Sequence, residues 1–226
     1  MKELAKKYDA CPHLSGMSKE EAARYAVEQL EELYPDAPCA LEFEGDPFRL
    51  LVMARLSAQC TDKRVNQVSK ELFFHYPDVY AMAEAPLSHL ESLVKSCGVY
   101  KVKASNIKEM SRILCERTDG RIPPDRDFLL SLPGVGPKIA NLILGDVFNV
   151  PGIVADTHCI RLANRLSLCR SDSPLTVERE LSRLIPPEKQ SLFCHRAVMF
   201  GREFCSSQAP KCLTCPLANN RERKPT

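Results

Sequence analysis

Apolar residues recur at three- and four-residue spacing along most of this chain, a pattern that predicts a series of amphipathic helices. One of them follows Ser18, which with Glu21 is expected to form a capping box, and it should end near Pro35. A denser apolar run over residues 47–59 predicts a buried helix. Because no stretch alternates with period two for long enough to form a strand, the pattern predicts an all-α fold.

Two of the helical patterns flank the sequence LPGVGPK at residues 132–138. Asp125 is expected to cap the first helix, and Gly134 and Gly136 are expected to allow positive φ and a close approach of the backbone to a partner. The amides left free where the second helix begins form a ready anion site, which suits a phosphate of a nucleic-acid strand. These features predict a helix, a tight turn and a helix that together contact a nucleic-acid backbone.

Further motifs occur in a fixed order around this hairpin. Asp156 follows Lys138 by eighteen residues, and the remaining motifs are LSAQCTD (56–62), GVYKVKASNI (98–107) and GREFC (201–205). Together they resemble the helix-hairpin-helix and Gly/Pro-Asp signature of the endonuclease III family of DNA glycosylases, over about residues 17–216.

The resemblance implies two helical lobes with a DNA-binding cleft between them. The first lobe is expected to be continuous, over residues 41–150, and to contain the hairpin. The second is expected to combine residues 17–40 with residues 151–226, and residues 1–16 are expected to form an N-terminal extension.

The resemblance also implies the catalytic residues. In enzymes of this family, the lysine at the position of Lys138 attacks the sugar C1′, expels the damaged base and holds the DNA as a Schiff base. Cleavage of the strand by β-elimination then follows. Asp156 is expected to stabilise the sugar as the base departs or to assist proton transfer, and it is also a good N-cap for the helix that follows it.

Other residues are expected to contact DNA. An enzyme that acts on a base must rotate the nucleotide out of the duplex. By resemblance, Gln59 fills the vacated space and Val99 acts as a second wedge, while Asp62 is expected to be a helix cap. The remaining predicted DNA contacts are Gly134, Val135, Gly136 and Lys211.

Three C-terminal cysteines, Cys205, Cys212 and Cys215, keep the spacing with which the family binds a [4Fe–4S] cluster. The fourth position of the pattern is Arg221 instead of cysteine. Three outcomes stay open: a [4Fe–4S] cluster held by three cysteines with a fourth ligand from outside or from Cys194 or His195, a zinc ion with three cysteines and one histidine, or an empty site.

Composition and charge fit the same picture. Of the 226 residues, 44% are hydrophobic, enough for a real core. Residues 1–50 carry 6 basic and 11 acidic side chains, whereas the rest carries 25 basic and 18 acidic ones, so the body is basic, as expected of a partner of damaged double-stranded DNA. With eleven cysteines but no leader-like pattern, and no apolar run that reaches a membrane span, the chain is expected to lie in a reducing bacterial cytoplasm. The resemblance implies that it is a monomer.

The function that the family resemblance implies is that of a DNA glycosylase with AP lyase activity on oxidised or ring-saturated pyrimidines. Two alternatives stay open. A related glycosylase that removes adenine opposite a lesion shares the hairpin and the cysteines but typically lacks the lysine at position 138. A non-catalytic helix-hairpin-helix module would need the glycines but neither Lys138 nor Asp156.

Overall fold

The computed structural model describes Leu14 and residues 16–219. Within these residues the backbone forms helices and no strand, which confirms the all-α prediction. The helices in chain order are α1 (Lys19–Leu33), α2 (Pro47–Leu56), α3 (Asp62–His75), α4 (Val79–Glu84), α5 (Leu87–Leu93), α6 (Tyr100–Thr118), α7 (Arg126–Ser131), α8 (Pro137–Phe148), α9 (Thr157–Arg165), α10 (Pro174–Leu184), α11 (Gln190–Glu203) and α12 (Pro216–Asn219).

Short 3-10 turns lie at Lys95–Cys97, Pro187–Lys189 and Cys212–Thr214. The predicted N-terminal extension lies outside the described residues except for Leu14 and Gly16, and so does Arg221. In the part of the chain that the structure covers, no helix is both long enough and apolar enough to cross a membrane.

The helices group into two compact units. The continuous unit spans Cys39–Val150, and the split unit combines the chain up to Pro38 with the chain from Pro151 onward. The bounds expected from the sequence are 41–150 for the first unit and 17–40 with 151–226 for the second.

Helix α2 is the buried centre of the continuous unit. Asp46 caps its N-terminus, because its Oδ1 accepts hydrogen bonds from the amides of Phe48 at 2.8 Å and Arg49 at 3.2 Å. Seven of its ten side chains are buried, as the dense apolar run predicted. The long helix α6 packs against α2 and against α4 and α5. Helix α2 also packs against α8. It therefore contacts the helix that follows Val99 and the helix that follows the predicted glycine turn.

The split unit is built on α1, α9, α10 and α11. The predicted capping box at the start of α1 is present: the Glu21 amide donates to Ser18 Oγ at 3.2 Å, and the Ser18 amide donates to Glu21 Oε2 at 2.9 Å. At the other end of α1, Tyr34 is the C-cap, as the nearby Pro35 predicted. The Tyr34 hydroxyl donates to Glu203 at 2.8 Å and so joins α1 to the end of α11.

Candidate functional site

The predicted hairpin consists of α7, the turn at residues 132–136 and α8. Asp125 caps α7 as predicted, with its Oδ1 accepting from the amides of Asp127 at 2.9 Å and Phe128 at 3.0 Å. The first backbone bond of α8 runs from the Ala140 amide to the Gly136 carbonyl at 3.0 Å. The amides of Lys138 and Ile139 therefore precede the helical ladder, which leaves donors at the N-terminus of α8 for an anion.

Gly134 is held in a position that only glycine fits. Its φ is +77°, and a Cβ added to it would lie 2.3 Å from Arg55 Nε and 2.7 Å from Asn106 Oδ1. Arg55 in α2 and Asn106 in α6 form a pair, because Arg55 donates from two of its nitrogens to Asn106 Oδ1. The prediction of positive φ is confirmed at this glycine. The side chains that exclude a Cβ belong to the protein itself, so close approach to a nucleic-acid partner stays a prediction.

Gly136 behaves differently. Its φ is −105° with an extended ψ, so the prediction of positive φ is wrong at this position. The residue serves instead as the N-cap of α8, where extended backbone is the rule for any residue type. Between the two glycines, the Val135 side chain is buried and its amide donates to the Leu132 carbonyl at 3.1 Å, so Val135 stabilises the turn from within.

Lys138 is exposed and lies in the first turn of α8, directly after Pro137. The hairpin thus brings together the predicted catalytic lysine and the glycine turn on one short stretch of backbone. Asp156 belongs to the split unit.

The two predicted wedge residues share an unusual backbone conformation. Gln59 has φ +54° and Val99 has φ +45°, both in the left-handed region that non-glycine residues seldom adopt. Gln59 is exposed, and the Val99 side chain is 60% exposed even though it is apolar. Strain of this kind, combined with exposure of an apolar side chain, is typical of functional loops.

Lys103 joins the two loops that carry these residues. Its Nζ donates to the carbonyls of Leu56 at 2.7 Å and Ala58 at 2.6 Å, and to the Cys97 carbonyl at 2.6 Å. The sequence analysis did not single out Lys103. One signal for it existed: Lys103 shares the buried face of α6 with Ile107 and Met110, where a lysine is out of place.

Asp62 is not a helix cap, which corrects the expectation from the sequence. Thr61 caps α3, because its Oγ1 accepts from the Arg64 amide at 3.3 Å, and Asp62 is the first residue of the helix. Thr61 has the extended backbone that an N-cap requires. The helix therefore begins one residue later, and Asp62 is its first residue instead of its N-cap. An acidic residue in the first turn is still favourable there.

Asp156 caps α9 in the split unit, as its position before THCIRLANRL indicated. Its Oδ1 accepts a hydrogen bond from the Cys159 amide at 2.7 Å. The residue is half-buried, and the bond to the helix N-terminus fixes the orientation of its carboxylate. His158 is half-buried as well, and its Nδ1 lies 2.9 Å from a guanidinium nitrogen of Arg161.

Two buried arginines of α9 hold the start of the cysteine loop. Arg161 Nε donates to the Cys205 carbonyl at 2.9 Å. Arg165 donates to the Ser206 carbonyl at 2.6 Å and the Ser207 carbonyl at 3.2 Å, and also to Cys205 Sγ at 3.2 Å. The helix that begins at Asp156 therefore also anchors the segment that contains the first of the three cysteines, by contacts that involve no metal.

The cysteine loop offers three thiols in different settings. Cys205 is half-buried, Cys212 is exposed and Cys215 is buried. Among the described residues, the sulfur atoms of these three do not all lie within 4.8 Å of one another. A single tetrahedral zinc ion would place its thiolates about 3.8 Å apart, so the three sulfur atoms would have to move closer together to bind one.

Cys194, one of the candidate fourth ligands, is buried. Its Sγ accepts a hydrogen bond from the Val154 amide at 3.2 Å inside the split unit. Lys211, the predicted phosphate contact beside the cysteines, is exposed, and its ammonium lies 5.9 Å from the centre of the Phe204 ring. The loop therefore presents one cation next to three thiols.

Comparison with known proteins places the chain among repair enzymes. The model of the HhH-GPD superfamily, base excision DNA repair proteins, matches residues 52–187. Endonuclease III of Bacillus subtilis is 43% identical over 194 residues, which cover 85% of this chain and 88% of that protein. Endonuclease III of Synechocystis sp. is 40% identical over 203 residues, which cover 89% and 92% of the two chains.

Among solved structures, a trapped covalent intermediate of endonuclease III with DNA superposes with a TM-score of 0.85. The two sequences are 41% identical, and the match covers 92% of this chain and 100% of the other. The match therefore extends over both units.

Proposed function

We propose, because the chain belongs to the endonuclease III family of the HhH-GPD superfamily of base excision DNA repair proteins, that it removes oxidised or ring-saturated pyrimidines from duplex DNA and then cleaves the strand. This membership confirms the resemblance that the sequence motifs indicated. The observation that carries the proposal is the hairpin, where an exposed lysine follows a glycine turn at a helix N-terminus.

The hairpin supports contact with a DNA strand. The backbone of the turn is exposed at Gly134, and the amides of Lys138 and Ile139 precede the backbone hydrogen bonds of α8. A phosphate at this helix N-terminus would receive hydrogen bonds and the favourable end of the helix dipole. Such contacts fix the position of the strand but do not read its sequence, as suits an enzyme that searches all DNA for damage.

Lys138 is the proposed nucleophile. Its amine nitrogen bonds to the sugar C1′ while the bond from C1′ to the base breaks, and the base leaves with a proton. Opening of the sugar ring then gives a protonated Schiff base. Loss of a proton from C2′ breaks the bond between C3′ and its oxygen, which cleaves the strand, and water finally hydrolyses the imine to restore the lysine.

Asp156 is the proposed carboxylate of the site. Its bond to the Cys159 amide holds one oxygen and leaves the other for chemistry. A carboxylate oriented in this way stabilises positive charge on the sugar as the base departs. Its N-cap role and its proposed catalytic role are compatible, because they use different lone pairs.

Gln59 and Val99 are the proposed wedges that fill the space of the everted nucleotide. Both side chains are exposed on strained turns, which is where inserted side chains are expected. We further propose that the enzyme acts as a monomer on damaged duplex DNA in the bacterial cytoplasm, as its bacterial relatives suggest.

For the cysteine loop we propose a [4Fe–4S] cluster held by Cys205, Cys212 and Cys215, with a fourth ligand that is not cysteine. Such a cluster would support the loop beside Lys211, and no step of base excision passes through it. Acid-labile sulfide and iron in the purified protein, together with a visible charge-transfer band, are the expected result. If the purified protein contained no iron and were fully active, the proposal of a [4Fe–4S] cluster would be wrong.

A duplex that contains one thymine glycol tests the proposed function. Purified protein should release the modified base and cleave the strand with the product of β-elimination at its 3′ end. Release of the base without strand cleavage would point to a monofunctional relative, and binding without either reaction would support the non-catalytic hairpin module.

A further inference from the structure

Lys103 is a buried cation whose bonding capacity is fully used. Its side chain is 1% exposed, and it is the only buried lysine among the residues that the structure describes. An ammonium group has three N–H donors, and Lys103 directs them to three backbone carbonyls. Lysine is almost never fully buried without such partners, so this position is built around the cation.

The three carbonyls belong to two loops that are distant in sequence. Leu56 and Ala58 lie at the C-terminal end of α2, where carbonyls lack helical partners and the helix dipole favours a cation. Cys97 ends the 3-10 turn before Gly98 and Val99. A single nitrogen atom therefore ties the end of α2 to the turn that precedes α6.

Each loop presents one proposed wedge residue next to its bond with Lys103. Gln59 follows Ala58 directly, and Val99 lies two residues after Cys97. The Lys103 amide also donates to the Val99 carbonyl at 3.2 Å, so the same residue holds the turn on both sides of Gly98. Positive φ at Gln59 and Val99 persists only where the surrounding structure imposes it.

We propose that Lys103 is a positioning residue that fixes Gln59 and Val99 in their left-handed conformations, so that both side chains are already aimed to replace an everted nucleotide. The inference rests on the proposed function, because it assigns Lys103 a task only if Gln59 and Val99 enter the duplex. Lys103 itself is buried and does not touch the substrate.

A role in packing alone would not explain the choice of lysine. An apolar side chain of similar length, such as methionine, would fill the same space without the cost of burying a charge. What methionine could not do is bind three carbonyls from two loops at once. Burial of the cation costs free energy, but its three hydrogen bonds define the backbone geometry at the exposed, strained residues Gln59 and Val99.

The test compares Lys103→Met with wild-type protein on two duplexes. One carries a thymine glycol, which must be everted and replaced, and the other carries an abasic site, which has no base to evert. Excision of thymine glycol should fall on the order of 100-fold, because loosely held wedges lose the geometry of insertion. Borohydride trapping on the abasic site should fall far less, because the lysine of the hairpin is untouched.

Lys101→Met is the matched control, since Lys101 is exposed in the same helix, and it should leave both activities unchanged. If Lys103→Met does not fold, Lys103→Gln, which keeps a neutral donor, takes its place. An equal loss on both duplexes would overturn the inference and leave Lys103 a structural residue. Wild-type protein that traps neither duplex would overturn the proposed function and this inference with it.

A double-mutant cycle separates positioning from general damage. If Lys103 acts through Gln59, Lys103→Met should cost much less excision in a Gln59→Ala background than in wild type. Additive losses would show that Lys103 does not act through Gln59 and would overturn the inference. Unfolding midpoints of all variants, measured in parallel, show whether any loss comes from instability.

Discussion

Arg55 in α2 donates two hydrogen bonds to Asn106 Oδ1 in α6, at 3.0 Å from Nε and 2.8 Å from a terminal nitrogen. The pair lies directly against Gly134 in the hairpin turn. Arg55 is half-buried, and this burial lowers the pKa of its guanidinium. The turn that is proposed to bind DNA thus rests on a polar contact between side chains of two other helices, α2 and α6.

Gly134→Ala should destabilise the protein through this contact. The new methyl group would lie 2.3 Å from Arg55 Nε, and the residue would keep a φ of +77°. Both effects oppose folding, and together they should lower the free energy of unfolding by about 2 kcal/mol or more. Urea unfolding followed by circular dichroism measures the loss.

Gly136→Ala is the control for that variant. Its φ is negative and no described atom lies within 4 Å of the added methyl group, so its stability should change by less than about 1 kcal/mol. Binding of an abasic duplex should weaken in both variants, because both methyl groups lie on the turn. Equal stability losses would show that the Arg55 contact does not restrict residue 134.

Val99→Gly should raise stability while it lowers activity. Valine at a φ of +45° carries strain on the order of 1 to 3 kcal/mol that glycine does not, so part of this energy should be recovered. Excision of thymine glycol should fall because the apolar wedge is lost. Thermal unfolding and single-turnover excision on the same preparation measure the two effects.

Val102→Gly is the matched control for Val99→Gly. Val102 is 53% exposed in the same helix but has ordinary helical backbone, so glycine should cost about 0.5 kcal/mol instead of stabilising. If both glycine variants were destabilised alike, the left-handed backbone at Val99 would carry no strain.

Arg165→Met should release the cysteine loop. The substitution removes the bonds to the carbonyls of Ser206 and Ser207 and one of the two arginine bonds to the Cys205 carbonyl, which Arg161 still binds. A hydrogen bond from a charged donor contributes about 1.5 to 3 kcal/mol, so the loop should be held much less firmly. Hydrogen exchange should rise over residues 205–215 before it rises in α9. Arg179→Met, at an exposed position, should leave the exchange pattern unchanged.

Stability should depend on pH through Glu31. This carboxylate accepts hydrogen bonds from Lys189 at 2.9 Å and Arg196 at 3.1 Å. Burial alone would raise the pKa of Glu31, but the bonds and charges of the two cations outweigh it and hold the pKa below its usual value. A lowered folded pKa stabilises the protein above the unfolded pKa, and that contribution is lost as the pH falls through the folded pKa.

Glu31→Gln should therefore lower the free energy of unfolding, measured with urea at pH 7, by about 1 to 3 kcal/mol. The difference in this free energy between variant and wild type should shrink below about pH 4.3. Glu32→Gln removes the same formal charge at an exposed neighbouring position and serves as the control. A difference that stayed constant with pH would show that the charge of Glu31 is not what stabilises the contact.

The features that sequence could predict are those set by neighbours along the chain. The capping box of Ser18 and Glu21 and the caps at Asp125 and Asp156 depend on three or four consecutive residues, and all are present. At Asp62 the prediction was wrong because the adjacent Thr61 is an equally good cap, and the pattern could not choose between them.

The features that sequence could not predict arise from contacts between distant residues. Arg55 and Asn106 are 51 positions apart, and Lys103 is 47 positions from Leu56. In the sequence KVK, Lys101 and Lys103 look alike, yet one is exposed and the other is buried. Only the packing of α6 against the end of α2 distinguishes them, and it also imposes the backbone of Gln59 and Val99, whose residue types favour other conformations.

Covalent trapping tests the central claim most directly. Wild-type protein, Lys138→Ala and the exposed-lysine control Lys70→Ala are each incubated with an abasic duplex and borohydride, and binding of the same duplex is measured by fluorescence anisotropy. Reduction of a Schiff base should link wild type and Lys70→Ala to DNA, whereas Lys138→Ala should bind the duplex but form no covalent product. Trapping of Lys138→Ala to the extent of wild type would contradict the assignment of Lys138 as the nucleophile.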